Sequence, residues 1–188
     1  MEPVFLRALE FDDLDRTYRW HNDHELYKTI GVFHYVSRTT DEEWLRKKLA
    51  FSNTEVNLAI CLRDNSQHIG NIYIRDIDWI ARHGELRIFI GESDQRSKGY
   101  GQAAVRLLVK HAFEDLGLMR LYLVVFDGNE AARRAYEKCG FVVEGKLRKH
   151  FFNEGRFKDC WFMGLCADDL SAKSSGQPQA ADYQKQLE

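Results

Sequence analysis

Hydrophobic and polar residues follow two successive patterns along the chain, and the first pattern begins at the N-terminus. Residues 4–10 alternate as in a short strand, whereas residues 11–26 and 37–51 carry apolar side chains at the spacing of two amphipathic helices. Three β-rich segments separated by turn residues come next: 56–63, 68–80 and 85–91. This succession predicts a strand, two helices and an antiparallel meander of three strands.

The second pattern alternates helical and strand segments. Residues 101–117 and 129–140 have the apolar spacing of helices, and the nearly continuous apolar run 119–126 between them is typical of a strand inside a sheet. Two further β segments flank the turn residues 153–155. The short connections predict a parallel strand pair added to the meander, within an α/β (α+β) domain.

Length and composition fit one domain followed by a tail. We assign residues 1–170 of the 188-residue chain to the domain, and residues 171–188, rich in Ser, Gln, Lys and Ala, predict a mobile polar tail. Hydrophobic residues make up 44% of the chain, and the net charge is −2. Because this balance is unlike that of a nucleic-acid-binding protein, we expect no nucleic-acid partner, and any basic feature must act locally.

Cysteine spacing and the first residues of the chain indicate a compartment. The four cysteines include no CxxC pair, so neither a zinc site nor a redox dithiol is indicated, and we expect no metal. The first residues have neither the basic nor the apolar region of a signal peptide, and no run approaches the roughly 18 apolar residues of a membrane span. We therefore expect a cytoplasmic protein without a membrane partner.

The stretch RSKGYG, residues 96–101, places two glycines directly before a helix. Glycines one residue apart allow successive backbone N–H groups to point inward as a nest for an anion. The start of the helix adds free N–H groups and a positive dipole end, and Arg96 and Lys98 add charge. Several converging donors suit a diphosphate better than a single carboxylate. A glycine-rich loop with two solvated cations is an equally good interpretation of this motif alone.

The same stretch also satisfies a rival fingerprint. Residues 99–104, GYGQAA, match the G-x-G-x-x-A pattern of dinucleotide-binding domains, and Asp127 follows the next strand, where an acid can hold a ribose. However, the first glycine of that fingerprint directly follows a strand, and here residues 92–98 intervene. A nicotinamide-dependent dehydrogenase is therefore kept as the less favoured alternative.

A second motif, NEAARRAYEKCGF at residues 129–141, removes most of this ambiguity. On a helix, Asn129 and Tyr136 share one face because seven residues make two turns. A purely structural interpretation, with Asn129 as a helix cap and Tyr136 as a core aromatic, would explain the two residues equally well. Together with the R-x-x-G-x-G pattern, however, this motif resembles the GNAT superfamily of acetyl-CoA-dependent N-acetyltransferases, over about residues 4–167.

The resemblance implies a fold and an activity. The implied GNAT fold has a mixed, mostly antiparallel sheet that splays between its fourth and fifth strands, with helices on both faces. The C-terminal sequence is similar to the branch that holds ribosomal-protein-alanine and spermidine acetyltransferases. The implied reaction moves an acetyl group from acetyl-CoA to a primary amine by direct attack on the thioester. A non-catalytic CoA- or nucleotide-binding module is the alternative.

The resemblance also assigns residues. It places the pantetheine arm of CoA against the backbone of the fourth strand at Phe89 and Ile90, and in contact with Asn129. Tyr136 points at the sulfur and protonates the departing thiolate. The residues implied to hold the diphosphate are Arg96, Lys98, Gly99, Tyr100, Gly101 and Gln102.

The general base is less well defined by the sequence. The fifth strand has no glutamate where some family members carry one, so Glu85 on the fourth strand is our candidate, acting directly or through water. A surface carboxylate paired with Arg87 is the plainer interpretation of Glu85. His34 and His150 are further candidates. The HNDH stretch at residues 21–24 has no third metal ligand, and we interpret it as a solvated helix end.

The acceptor amine is also left open. Spermidine-acetylating relatives carry acidic residues between their N-terminal helices, whereas residues 30–40 of this chain contain none, which argues against a polyamine. A peptide or protein N-terminus and an amino sugar fit equally well. Aromatic residues near the C-terminal hairpin suit either a core or a dimer surface, so the sequence also allows a homo-oligomer.

Overall fold

The computed structural model describes residues 1–31 and 34–170, apart from the side chain of Thr29. The tail predicted at 171–188 lies outside the described residues. The helices and strands, in chain order, are β1 (Val4–Ala8), α1 (Leu14–His21), α2 (His24–Ile30), α3 (Arg38–Leu49), β2 (Val56–Leu62), β3 (His68–Asp78), β4 (His83–Ile90), α4 (Tyr100–Lys110), β5 (Arg120–Phe126), α5 (Glu130–Lys138), β6 (Val142–Asn153) and β7 (Arg156–Cys166).

The seven strands form one sheet in the order β1-β2-β3-β4-β5-β7-β6. Every neighbouring pair is antiparallel except β4 and β5, which run parallel. This pair is joined only from His83 to Glu85 on β4, opposite Arg120 to Tyr122 on β5. Beyond Glu85 the two strands separate, which confirms the predicted splay between the fourth and fifth strands.

Helices cover both faces of the sheet, as predicted. One face holds the main hydrophobic core, to which α4 contributes Ala104 and Leu108 and the end of α5 contributes Cys139. The opposite face holds a smaller cluster in which Leu14 of α1 and Leu45 of α3 pack on β2 and β3. The two helical layers therefore approach the splayed sheet from opposite sides.

The N-terminal helices differ from the prediction of one helix over residues 11–26. The chain breaks after His21, because the carboxylate of Asp23 accepts hydrogen bonds from the backbone N–H groups of Glu25 and Leu26 and so begins a new helix. Asn22 in turn holds the distant backbone of Val36. The N-terminal region therefore contains three helices rather than two.

A buried ion pair fixes the start of α1. Asp13 is 2% exposed and accepts two hydrogen bonds of 2.8 Å from Arg7 and one of 2.9 Å from Nδ1 of His68. Burial alone would raise the pKa of Asp13, but the bonds from Arg7 and His68 outweigh it and hold that pKa well below its usual range. The network ties α1 to strands β1 and β3.

The C-terminal half of α1 packs against the end of β4. Trp20 is 2% exposed and makes edge contacts with the rings of His68 and Phe89, at centroid distances of 4.8 and 5.9 Å. A Cβ atom at Gly91 would lie 2.2 Å from the Trp20 ring, so only glycine allows this approach. As a result, the last residue of α1, His21, is held beside the separated part of the sheet.

Candidate active site

A cleft of about 330 Å³ opens where β4 and β5 separate. Its walls come from α1, α2 and α3 on one side, from strands β3, β4 and β5 beneath, and from α5 and β6 on the other side. The polar and charged residues that line the cleft include His21, Lys48, Arg75, Glu85, Arg87, Asn129, Tyr136 and His150.

The cleft exposes one edge of β4. The N–H of Gly91 donates to the carbonyl of Ile69 on β3 at 2.8 Å, and the alternation of an antiparallel ladder turns the backbone of Ile90 and Ile88 the other way. Since β5 has already separated, Ile88 faces the cleft, whereas Ile90 is not among its lining residues and the carbonyl of Ile90 accepts from Nε of Arg96 at 3.0 Å. Phe89, whose side chain lines the cleft, lies between them, so the predicted contact residues Phe89 and Ile90 are both at this edge.

The loop before α4 has the geometry of an anion nest. Ser97 and Gly99 both adopt left-handed backbone conformations, with φ of 61° and 84°. No described side chain caps α4, so the N–H groups of its first turn, at Tyr100, Gly101 and Gln102, have no helical partner. A Cβ atom at Gly101 would meet nothing within 4 Å, which shows that the space over the helix start is open.

The two basic side chains of this loop bind the protein itself. Arg96 donates to the carbonyl oxygens of Ile90 and Gly91, at 3.0 and 2.8 Å, and to the carboxylate of Asp23 at 3.1 Å. Lys98 is exposed and donates to Gln95 at 3.1 Å. Arg96 therefore joins the loop to the end of β4 and the start of α2, and diphosphate binding by either cation stays a prediction.

Helix α5 presents the second motif to the cleft. The side-chain oxygen of Asn129 accepts from the N–H of Ala132 at 3.2 Å, which makes Asn129 the predicted helix cap. Two turns later Tyr136 packs its ring edge-on against Phe141, and its hydroxyl makes no hydrogen bond with any described residue. Burial raises the pKa of Tyr136 to about 12, so this hydroxyl keeps its proton at neutral pH.

Glu85 lies at the point where the strands part. It is 8% exposed, lines the cleft, and forms an ion pair with Nε of Arg87 at 3.0 Å. The plainer interpretation, a carboxylate paired with Arg87, is therefore present in the structure, within reach of the cleft. Of the other predicted base candidates, His150 lines the cleft and His34 is not among its lining residues.

Sequence reasoning missed one functional candidate in the cleft wall. His21, interpreted from its neighbours as part of a solvated helix end, has only 11% of its side chain exposed and pairs through Nδ1 with Asp41 of α3. The interpretation was wrong for His21 because its partner is 20 residues away and reaches it only through the packing of α1 on α3. His24 is exposed, as expected.

The dinucleotide alternative does not fit this geometry. The sheet is largely antiparallel, and a short 3₁₀ turn, Ser93–Gln95, stands between β4 and the glycines of residues 99–101.

In the described part of the chain, no group of three or more His, Cys, Asp or Glu side chains is placed to hold a metal ion. Nor is any described helix both long enough and apolar enough to span a membrane.

Comparison with known proteins points to one family. Residues 4–142 match the family model described as the acetyltransferase (GNAT) domain. The chain is 32% identical over 155 residues to a spermidine N(1)-acetyltransferase of Vibrio cholerae, covering 82% of this chain and 87% of the relative. It is 34% identical over 159 residues to the spermidine N(1)-acetyltransferase of Escherichia coli K12, covering 83% and 82%. These matches confirm the resemblance.

Solved structures agree with the sequence comparison. The spermidine N-acetyltransferase of Vibrio cholerae in complex with CoA and spermine superposes with a TM-score of 0.83 at 28% identity, covering 89% of this chain and 98% of that one. A dodecameric structure of the Vibrio cholerae enzyme in an intermediate state gives a TM-score of 0.80 at 27% identity, covering 93% and 99%.

Gly101→Ala tests the open space over the helix start. Because the added methyl group meets no atom of the chain, the melting temperature should stay within a few degrees of wild type. If a diphosphate occupies this space, the methyl group should weaken acetyl-CoA binding at least tenfold, about 1.4 kcal/mol, measured by calorimetry.

Gly145→Ala is the matched control, since a Cβ atom there also meets nothing within 4 Å and the residue lies on β6. It should leave both melting temperature and affinity unchanged. Unaltered affinity in Gly101→Ala would show that the diphosphate does not lie over this helix.

Proposed function

The chain belongs to the GNAT family of acetyl-CoA-dependent N-acetyltransferases, and from this premise we propose that it acetylates a small primary amine by direct attack on the thioester, with Tyr136 protonating the departing thiolate. One observation carries the proposal. The half-buried Tyr136, whose hydroxyl keeps its proton and has no hydrogen-bond partner among the described residues, lines the cleft that the splayed strands open.

The donor acetyl-CoA suits three features of the cleft. The unpaired edge of β4 offers backbone groups to the amides of a pantetheine arm, and Asn129 keeps its side-chain N–H₂ group without a described partner. The nest at residues 97–99 and the start of α4 suit a diphosphate. Acetyl-CoA supplies the activated acyl group, and the chain supplies position and polarity.

The reaction requires two protons to be managed. The amine nitrogen forms a bond with the carbonyl carbon while negative charge develops on the carbonyl oxygen, which a backbone N–H of the β4 edge is placed to stabilise. The carbon–sulfur bond then breaks and leaves a thiolate. Tyr136 donates a hydrogen bond to this sulfur and passes its proton to it.

The high pKa of Tyr136 constrains this last step. A free thiol has a pKa of about 8.5, so full transfer from a phenol with a pKa of about 12 is uphill by about 5 kcal/mol at 1.36 kcal/mol per pH unit. We therefore propose that proton transfer from Tyr136 to the sulfur is coupled to transfer of a proton from the attacking nitrogen to the Tyr136 oxygen. From the sequence we predict Glu85 as the base for this nitrogen, directly or through water; as a carboxylate it can also hold the ammonium as a counter-ion.

We infer the class of the acceptor amine from the charged side chains that line the cleft. The names of the relatives make spermidine and spermine the first amines to test. However, the lining cations Lys48, Arg75 and Arg87 outnumber the carboxylates that pair with them, Glu85 in the lining and Glu55 beside it, by three to two. Residues 30–40 add no acid. We propose an amine with one positive charge, such as an amino sugar or a peptide N-terminus, as the better acceptor.

We also propose a homo-oligomer. Phe152 and Phe157 pack edge-on at a centroid distance of 5.2 Å near the β6–β7 turn and are 52% and 63% exposed in the single chain. An exposed aromatic pair is a common feature of surfaces between subunits. The relative whose structure is dodecameric supports the same expectation.

Tyr136→Phe tests the role of the hydroxyl. The ring and its packing on Phe141 are kept, so affinity for acetyl-CoA should stay within about twofold of wild type. Loss of the proton donor should lower kcat about a hundredfold, measured by thiol release with a saturating amine. Unchanged turnover would remove Tyr136 from the mechanism.

An amine panel tests the acceptor. Thiol release should give a kcat/KM for an amino sugar or a peptide N-terminus at least tenfold above that for spermidine, since the extra ammonium groups of spermidine meet a cationic wall. Spermidine as the best acceptor would contradict the argument from lining charges. Acetyl-CoA binding without turnover of any amine would contradict the proposed function.

A further inference from the structure

A second proton acceptor lies in the wall of the cleft, between α1 and α3. Building on the proposed function, we propose that His21, oriented by Asp41 and Thr17, takes the proton from the acceptor ammonium before the amine attacks. Asp41 and Thr17 are positioning residues in this proposal, and His21 is the catalytic residue.

The carboxylate of Asp41 is buried and fully engaged. It is 0% exposed; one oxygen pairs with Nδ1 of His21, and the other accepts from the hydroxyl of Thr17 at 2.9 Å. Thr17 is also 0% exposed and lies one turn before His21 on α1. Burying a carboxylate is costly unless its oxygens are paired, so this acid is committed to holding the imidazole.

The imidazole of His21 is held through one ring nitrogen, and its other nitrogen has no hydrogen-bond partner among the described residues. Its ring packs edge-on against Trp44 at a centroid distance of 4.5 Å and an interplanar angle of 87°, and it lines the cleft. Nδ1 carries the hydrogen that faces Asp41, so the lone pair of neutral His21 is on Nε2. Nε2 makes no hydrogen bond with any described residue, which is the arrangement that a general base requires.

The chain contains a structural histidine with which His21 can be compared. His68 also pairs through Nδ1 with a buried carboxylate, that of Asp13. Its Nε2, however, lies 2.9 Å from the carbonyl of Gly70 and 2.8 Å from the side-chain oxygen of Asn71, and the ring is not part of the cleft wall. Both nitrogens of His68 are used by the fold, whereas only one nitrogen of His21 is.

The other charged groups around the cleft are already paired, which makes His21 the better candidate for the general base. One oxygen of Glu85 is occupied by Arg87, and Lys48 is paired with Glu55, which also lies 3.6 Å from Arg75. Glu85 then serves as the counter-ion that holds the ammonium. Besides His21, the titratable or charged side chains that line the cleft in the described part of the chain are Tyr27 of α2, Lys48 of α3, Tyr73 and Arg75 of β3, Glu85 and Arg87 of β4, Tyr136 of α5 and His150 of β6.

The step balances without a further reactant. A nitrogen–hydrogen bond of the ammonium breaks, and the proton forms a bond with Nε2, giving an imidazolium that Asp41 stabilises. The released lone pair of the amine attacks the thioester carbon. Nε2 returns its proton to solvent through the open cleft between turnovers.

His21→Gln and His21→Ala test the proposal in the full chain. His21→Gln should lower kcat at saturating amine about a hundredfold, while the affinity for acetyl-CoA stays within twofold. Adding imidazole to His21→Ala should restore at least tenfold of the lost turnover. A structural role would give neither this split between kcat and affinity nor the rescue. Circular dichroism checks that each variant folds.

His111→Gln is the matched control. His111 pairs through Nδ1 with Asp115 at 2.7 Å, as His21 pairs with Asp41, but lies outside the cleft wall. Its turnover should equal that of wild type. Retention of more than a third of wild-type kcat by His21→Gln, or no rescue by imidazole, would overturn the proposal, while thiol release by wild type would leave the proposed function standing.

Asp41→Asn tests the positioning role. Nitrogen-15 spectra of the histidine side chains should show hydrogen on Nδ1 of neutral His21 in wild type and a change of tautomer in the variant, with kcat reduced at unchanged acetyl-CoA affinity. A wild-type spectrum with hydrogen on Nε2 would overturn the assignment of the base.

Discussion

Hydrogen bonding between β4 and β5 stops after three residues on each strand, and the site depends on this interruption. Each strand remains paired along its other edge, β4 with β3 and β5 with β7, so the sheet stays intact while it opens. Exposed backbone groups at a strand edge favour pairing with any extended chain that carries amides. The fold therefore leaves a backbone edge that we propose accepts a pantetheine-like arm.

Helices on the two sides of this opening give the cleft two chemically different walls. On one side, the start of α4 and the left-handed loop before it offer backbone N–H groups to an anion, while α5 directs Tyr136 into the cleft. On the other side, the ion pair of Asp13 with Arg7 and the contact of Trp20 with Gly91 hold α1 in place. In our proposal, donor chemistry and acceptor chemistry therefore come from helices on opposite faces of one sheet.

Local signals in the sequence were sufficient for most of the fold, whereas the donor-binding residues stay a prediction. Alternation and helical spacing predicted the strands and the helices α4 and α5, but not the register shift in the β3–β4 ladder between Arg75 and Asp78. The helix break at Asp23 was missed because a side-chain cap overrides a continuous apolar pattern. The roles of Arg96 and His21 were missed because their partners, Asp23 and Asp41, are brought to them only by tertiary packing.

Hydrogen–deuterium exchange of the full chain with and without acetyl-CoA is the most direct test of the central claim, that the separated edge of β4 and the start of α4 hold the donor. Binding should slow exchange of the amides at residues 86–90 and 97–103, because backbone groups at these two places would become bonded or covered. Exchange in the β6–β7 hairpin tip should not change. Saturating acetyl-CoA that leaves residues 86–90 unprotected would contradict the account.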